Sequence, residues 1–79
     1  MANSDSDPAI PAQRVLFGRR LRALRERKGL TQTAVAVAAG MDRSFYVELE
    51  TARHSVSVDR IPALAKALGV EPHELFTED

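Results

Sequence analysis

Seventy-nine residues suffice for one small domain, marginal in core size but able to fold alone if its helices pack well or pair with a second copy. Cysteine is absent, which excludes a disulfide framework and a thiolate metal site and points to a reducing, cytoplasmic setting. Eleven bases balance eleven acids, yet all the Arg and Lys lie between Arg14 and Lys66, where only five acids stand, so this middle stretch has a surplus of six positive charges and suits a polyanionic partner.

Residues 1–8 are polar and acidic, with no basic and apolar leader-like run, and are expected to form a flexible tail. No apolar stretch approaches the roughly 18 residues of a membrane span, so no membrane partner is expected. Residues 9–76 are assigned to a single domain, and 77–79 to a frayed tail. The apolar pattern of that domain is helical, and five helices are the economical reading. The first begins between Ala9 and Gln13 and runs to Lys28, with Phe17, Leu21 and Leu24 on one face. Gly29 terminates it. Thr31 is a good N-cap for the second helix, and Leu30 can staple against Val35. Gly40 can take the left-handed conformation of a tight inter-helix turn, after which Asp42 caps a third helix from Arg43 to about Glu50. Two short helices this close form the outline of a helix-turn-helix, whose second helix can lie in the DNA major groove. A loop over Ala52–Val56 leads to Ser57 as N-cap of a fourth helix carrying Ile61, Leu64, Ala65 and Leu68. Pro62 in its first turn predicts a late start or a slight bend. Glu71-Pro72 opens the fifth, short helix with Leu75 and Phe76.

Taken together, Leu24-Arg25, Gly29-Leu30-Thr31-Gln32, Ala36, Gly40, Asp42-Arg43-Ser44, Leu49-Glu50 and Leu64 to Val70 resemble the Cro and lambda-repressor family, often called XRE-like. The resemblance spans roughly Phe17 to Phe76 and implies an all-α, five-helix DNA-binding domain in which helices two and three form the helix-turn-helix. As an ordered set over this span the motifs are specific, whereas a single piece such as Leu-Thr-Gln is weak. The short length and the Asp-Arg-Ser-Phe run also resemble the controller proteins of restriction-modification systems.

Arg43, Ser44 and Glu48 share one side of the third helix, opposite Tyr46 and Leu49, and are the positions that would face base edges. An arginine there can place its fork on guanine O6 and N7; Ser44 can contact base or phosphate; Glu48 can accept from cytosine N4 or orient Arg43. Phe45 can touch a thymine methyl or pack on its own domain. Thr31 and Gln32 sit at a helix N-terminus that favours phosphate, and the resemblance implies a DNA-backbone contact for Gln32. In relatives the loop holding Arg53 and His54 follows the sugar-phosphate backbone, although Ala52 stands where relatives often have glycine. The resemblance further implies a partly buried ion pair of Arg25 with Glu50, and dimerisation through the C-terminal helices, here Leu75 and Phe76 with Ile61 and Leu64.

The function expected is a homodimeric, sequence-specific regulator of transcription that binds a palindromic or pseudopalindromic double-stranded operator, without cofactor or metal; RNA polymerase is a further candidate partner. The alternative is a helical adaptor that binds a toxin or a polymerase subunit and reads no bases. Enzyme readings find no support: His54 and His73 stand in loop-like contexts, and neither a nucleophile constellation nor a glycine-rich phosphate loop is present.

Overall fold

The computed structural model describes residues 10–77; the expected tail at 1–8 and residues 78–79 lie outside them. Among the described residues there is no strand, and the α-helices are α1 (Ala12–Arg27), α2 (Gln32–Ala39), α3 (Arg43–Glu50) and α4 (Ile61–Leu68), with short 3-10 turns at Val58–Arg60 and Pro72–Phe76. α1 packs against α3, α2 packs against both α3 and α4, and the last 3-10 turn closes over α4 and α1. The buried side chains of Leu21, Leu24, Val35, Tyr46, Leu49, Leu64, Leu68 and Leu75 form one core. No helix is long and apolar enough to cross a membrane among the described residues.

Local chemistry explains most helix ends. Thr31 Oγ1 accepts from the Ala34 amide at 3.0 Å, which satisfies one of the free donors at the start of α2. At Gly40, φ is 70°, and the Met41 amide donates to the Ala36 carbonyl at 3.0 Å. This left-handed closure stops α2 and allows α3 to start three residues later. Ala52 takes the same conformation, with φ 64°, and the Arg53 amide donates to the Glu48 carbonyl at 2.9 Å. Ala52 thus holds a left-handed turn that glycine adopts most readily. A left-handed alanine costs about 1–2 kcal/mol, but its buried methyl returns part of that.

Several sequence expectations need correction. The fifth helix is a five-residue 3-10 turn. Its Glu71 amide donates to Glu74 Oε2 at 2.9 Å, and a segment this short holds i to i+3 bonds more readily than an α ladder. Ser57 precedes a 3-10 turn rather than α4, and its side chain makes no capping bond. The late start that Pro62 predicts is observed: α4 begins at Ile61, so that the proline occupies an early position where no amide donor is needed. Asp42 precedes α3 in extended conformation but likewise makes no side-chain capping bond. Leu75, at 0% exposure, and Ile61, at 9%, are core residues with almost no surface to offer a second copy, as is Leu64. Phe76 differs: it is 64% exposed and stacks on Phe17 with ring centroids 5.4 Å apart.

Gly18 sets the distance between α1 and α3. A Cβ on it would stand 2.6 Å from the carbonyl oxygens of both Leu49 and Glu50, backbone atoms that cannot step aside without moving the end of α3. Overpacking of this kind costs about 1–3 kcal/mol, whereas alanine gains only about 1 kcal/mol over glycine in a helix interior. Gly18→Ala is therefore expected to lower stability in urea denaturation, against the direction of helix propensity.

Candidate nucleic-acid interface

α3 is barely two turns long, so its faces are sharply divided. Tyr46, Leu49 and Glu50 are buried, Phe45 and Val47 are half-buried, and Arg43, Ser44 and Glu48 are exposed together. The apolar face is what docks the helix, and the exposed edge is what it presents.

Behind that edge runs a line of polar contacts. Arg25 Nε donates to Glu50 Oε2 at 2.6 Å and its Nη2 to Oε1 at 3.2 Å, a two-pronged pair with the Glu50 side chain only 2% exposed and that of Arg25 13%. Arg25 Nη1 also donates to the Leu30 carbonyl at 3.0 Å, which ties the pair to the turn between α1 and α2. Gln32 Nε2 donates to Glu50 Oε1 at 3.1 Å. The other end of that amide, Oε1, receives Arg43 Nη2 in a long 3.5 Å contact. A buried ion pair thus fixes the amide of Gln32, whose oxygen lies in long reach of the arginine at the front of α3.

The electrostatics agree with this arrangement. Burial alone would raise the Glu50 carboxyl pKa, but Arg25 first, then Tyr46 and Gln32, outweigh burial and hold it below the ordinary carboxylate value. The Glu50 carboxylate in turn raises the pKa of Arg25 through their hydrogen bonds. The Tyr46 hydroxyl is kept neutral, chiefly by burial and then by its carboxylate neighbour. The buried hydroxyl has no hydrogen-bond partner among the described residues.

The structure distributes the other expected residues as follows. Thr31 is exposed and uses its oxygen as a cap, leaving its O–H free to donate. Gln32 is half-buried between Glu50 and Arg43. Glu48 is exposed, and the neighbour of the Arg43 guanidinium is Gln32, at 3.5 Å, and not Glu48. Phe45 packs on its own domain: the edge-on ring of His54 lies 4.9 Å from it at 68°, and the Arg60 guanidinium carbon stands 5.2 Å over it. His54 Nδ1 donates to the Ser55 carbonyl at 2.8 Å, since a carbonyl oxygen only accepts. Arg53 is exposed on the same loop.

Sequence reasoning missed Gly18, Arg60 and the bridging place of Gln32. An isolated glycine inside an otherwise good helix was the available signal for Gly18. Arg60 had none, because its partner is fifteen positions away in the chain. Among the described residues no group of three or more His, Asp or Glu is placed to hold a metal ion.

A short helix braced from behind by a buried ion pair, meeting a second helix across a left-handed glycine, defines a helix-turn-helix DNA-binding protein. The comparisons with known proteins agree. A sequence profile described as a helix-turn-helix domain matches residues 16–76. The control protein C.BamHI of Bacillus amyloliquefaciens is 33% identical over 64 residues, which cover 80% of this chain and 79% of that protein. The crystal structure of the restriction-modification controller protein C.AhdI from Aeromonas hydrophila matches with a TM-score of 0.81 at 47% identity, over 84% of this chain and 100% of that one. The clp gene regulator ClgR from Corynebacterium glutamicum matches with a TM-score of 0.78 at 30% identity, over 84% of this chain and 70% of that one. The chain belongs to the XRE-like helix-turn-helix family of DNA-binding transcriptional regulators, with restriction-modification controller proteins among its relatives.

Proposed function

We propose that the protein is a sequence-specific regulator that binds a palindromic or pseudopalindromic operator as a homodimer. The observation that carries this reading is the division of α3: Arg43, Ser44 and Glu48 are exposed, while Tyr46 and Leu49 on the other side of the helix are buried. In this reading Arg43 and Ser44 read base edges, Glu48 accepts from a cytosine amine, and Thr31, Gln32, Arg53 and His54 hold phosphates on either side. Gln32 has two amide hydrogens, so its bond to Glu50 leaves one for a phosphate.

The homodimer is supported by an apolar face between the first half of α1 and the last 3-10 turn. Leu16 is 48% exposed and Phe76 64%, and both border a cleft of about 420 Å³ whose lining includes Val56 and Leu75. A protruding ring beside a hollow on one face is what a two-fold contact requires, since each copy can fill the other's cleft. Of the three residues expected at the dimer contact, Leu75, Phe76 and Ile61, only Phe76 is exposed enough to be assigned to it.

Binding to duplex DNA over a range of salt concentrations tests the reading. The logarithm of the association constant is expected to fall steeply with the logarithm of salt, by about 0.9 for each phosphate neutralised. A slope near zero would show that no phosphates are being neutralised. In sedimentation equilibrium, Phe76→Asp is expected to shift the protein towards monomer while the wild type remains dimeric at the same concentration. A monomeric wild type at tens of micromolar would defeat the homodimer reading.

A further inference from the structure

Phe45 is the one half-buried aromatic on the recognition helix, and its ring is engaged on two sides by groups that lie outside that helix. Over the ring stands the guanidinium of Arg60, 5.2 Å from the ring centre. Against its edge lies His54, centroid to centroid 4.9 Å. Arg60 is the last residue of the 3-10 turn before α4, and it shares a shallow depression with Val37, Gly40, Met41, Asp42 and Phe45. That depression lies at the inter-helix turn and the first residues of α3, the end of a recognition helix that enters the groove. Arg60 is exposed, and among the described residues its guanidinium meets the Phe45 ring without an ion pair to neutralise it. An arginine stacked on an aromatic face keeps its N–H donors pointing outward in the ring plane's direction, while its stem loses freedom before any ligand arrives.

We propose that Phe45 is a stacking platform that pre-positions Arg60 as a phosphate contact beside the front of α3, so that Arg60 is a DNA-backbone contact and Phe45 a positioning residue, not a reader of thymine methyl groups. The proposal rests on the DNA-binding reading above. It adds a cation that lies outside both helices of the helix-turn-helix, and it gives the aromatic at position 45 a role that neither core packing nor base contact requires. Asp42 lies at the same depression without pairing with Arg60, so the guanidinium stays available to a phosphate.

The test compares wild type, Arg60→Ala, Phe45→Leu, Phe45→Tyr and the Arg60→Ala/Phe45→Leu double variant, on an arbitrary duplex and on a selected operator, with urea denaturation confirming that each is folded. Arg60→Ala is expected to weaken both duplexes alike, about 3- to 10-fold, and to make the salt slope shallower by about 1, as loss of one phosphate contact does. Phe45→Leu is expected to weaken binding in the presence of Arg60 and to add nothing in its absence, whereas Phe45→Tyr, which keeps the ring, binds like wild type. An unchanged salt slope in Arg60→Ala, beside a wild type that binds DNA, overturns the proposal and leaves the DNA reading standing. A Phe45→Leu loss equally large with and without Arg60 overturns the platform role. A wild type that ignores duplex altogether overturns both readings.

Discussion

Arg25→Ala is expected to lower stability by about 3–5 kcal/mol, because it strands a carboxylate that the fold has already taken out of water. Glu50 has 2% of its side chain exposed, and with Arg25 gone only the Gln32 amide would still donate to it. Glu50→Ala is expected to cost less, since the Arg25 side chain is 13% exposed and can turn its fork back to solvent. The pH dependence separates this account from simple loss of packing. In the wild type the Glu50 carboxyl is held below its ordinary value; the unfolded chain therefore binds the proton first. The stability the group contributes is fully present above the unfolded carboxylate range, near pH 4.5, and is lost as the pH falls through the lower folded value. In Arg25→Ala burial prevails and the carboxyl pKa rises above its unfolded value. Its stabilisation is then present at low pH and lost as the pH rises. The gap between the two proteins in urea denaturation should be widest at neutral pH and should narrow as the pH is lowered through the carboxylate range. A gap independent of pH would mean that the pair acts only by filling space. Replacing both residues by apolar ones, as in the Arg25→Met/Glu50→Leu double variant, should recover most of the stability, but it leaves Gln32 without its anchor and Arg43 without a fixed neighbour.

The second large effect falls on recognition and leaves stability almost untouched. Arg43 is exposed and contributes no buried contact, so Arg43→Ala should unfold at the wild-type denaturant concentration. Its discrimination at one base position per half-site should nevertheless fall by about 1–3 kcal/mol, roughly 5- to 150-fold, as expected when a bidentate contact to guanine is removed. Thr31→Ala and Arg53→Ala, by contrast, should weaken all sequences alike. Gln32→Ala is expected to lie between, because it removes the oxygen that neighbours Arg43 and, in the proposed reading, a phosphate donor. Determining the base preferences of each variant checks this ordering. An Arg43→Ala protein with wild-type preferences would assign base reading elsewhere on α3.

What could be read from the sequence follows the range of each interaction. Thr31 and Gly40 act within a few residues, and their roles as cap and left-handed turn were legible from residue type and spacing. The division of α3 was legible because Tyr46 and Leu49 are three apart in a helix. Arg25 and Glu50 are separated by twenty-five positions, and only the resemblance brought them together. Contacts without a local signature or a motif stayed hidden. The fit of Gly18 against the end of α3, the stacking of Arg60 on Phe45 and the insertion of Gln32 between two charged groups all depend on how α1, α4 and the loops are placed. Leu75 shows the opposite error: an apolar residue near a chain end reads equally well as core or as interface, and the folded chain closes over it. The last element failed for an energetic reason, since five residues beginning with proline show a helical pattern but hold too few bonds to keep an α ladder.

Selecting binding sites from random duplexes with the wild-type protein tests the central claim most directly. The account predicts enrichment of an inverted repeat whose half-sites lie about one helical turn apart, roughly 10 base pairs centre to centre, with a guanine in each half-site at the position where Arg43→Ala loses preference. Recovery of no preferred sequence at a salt concentration where the protein binds duplex would contradict it, as would a preference that survives intact in Arg43→Ala.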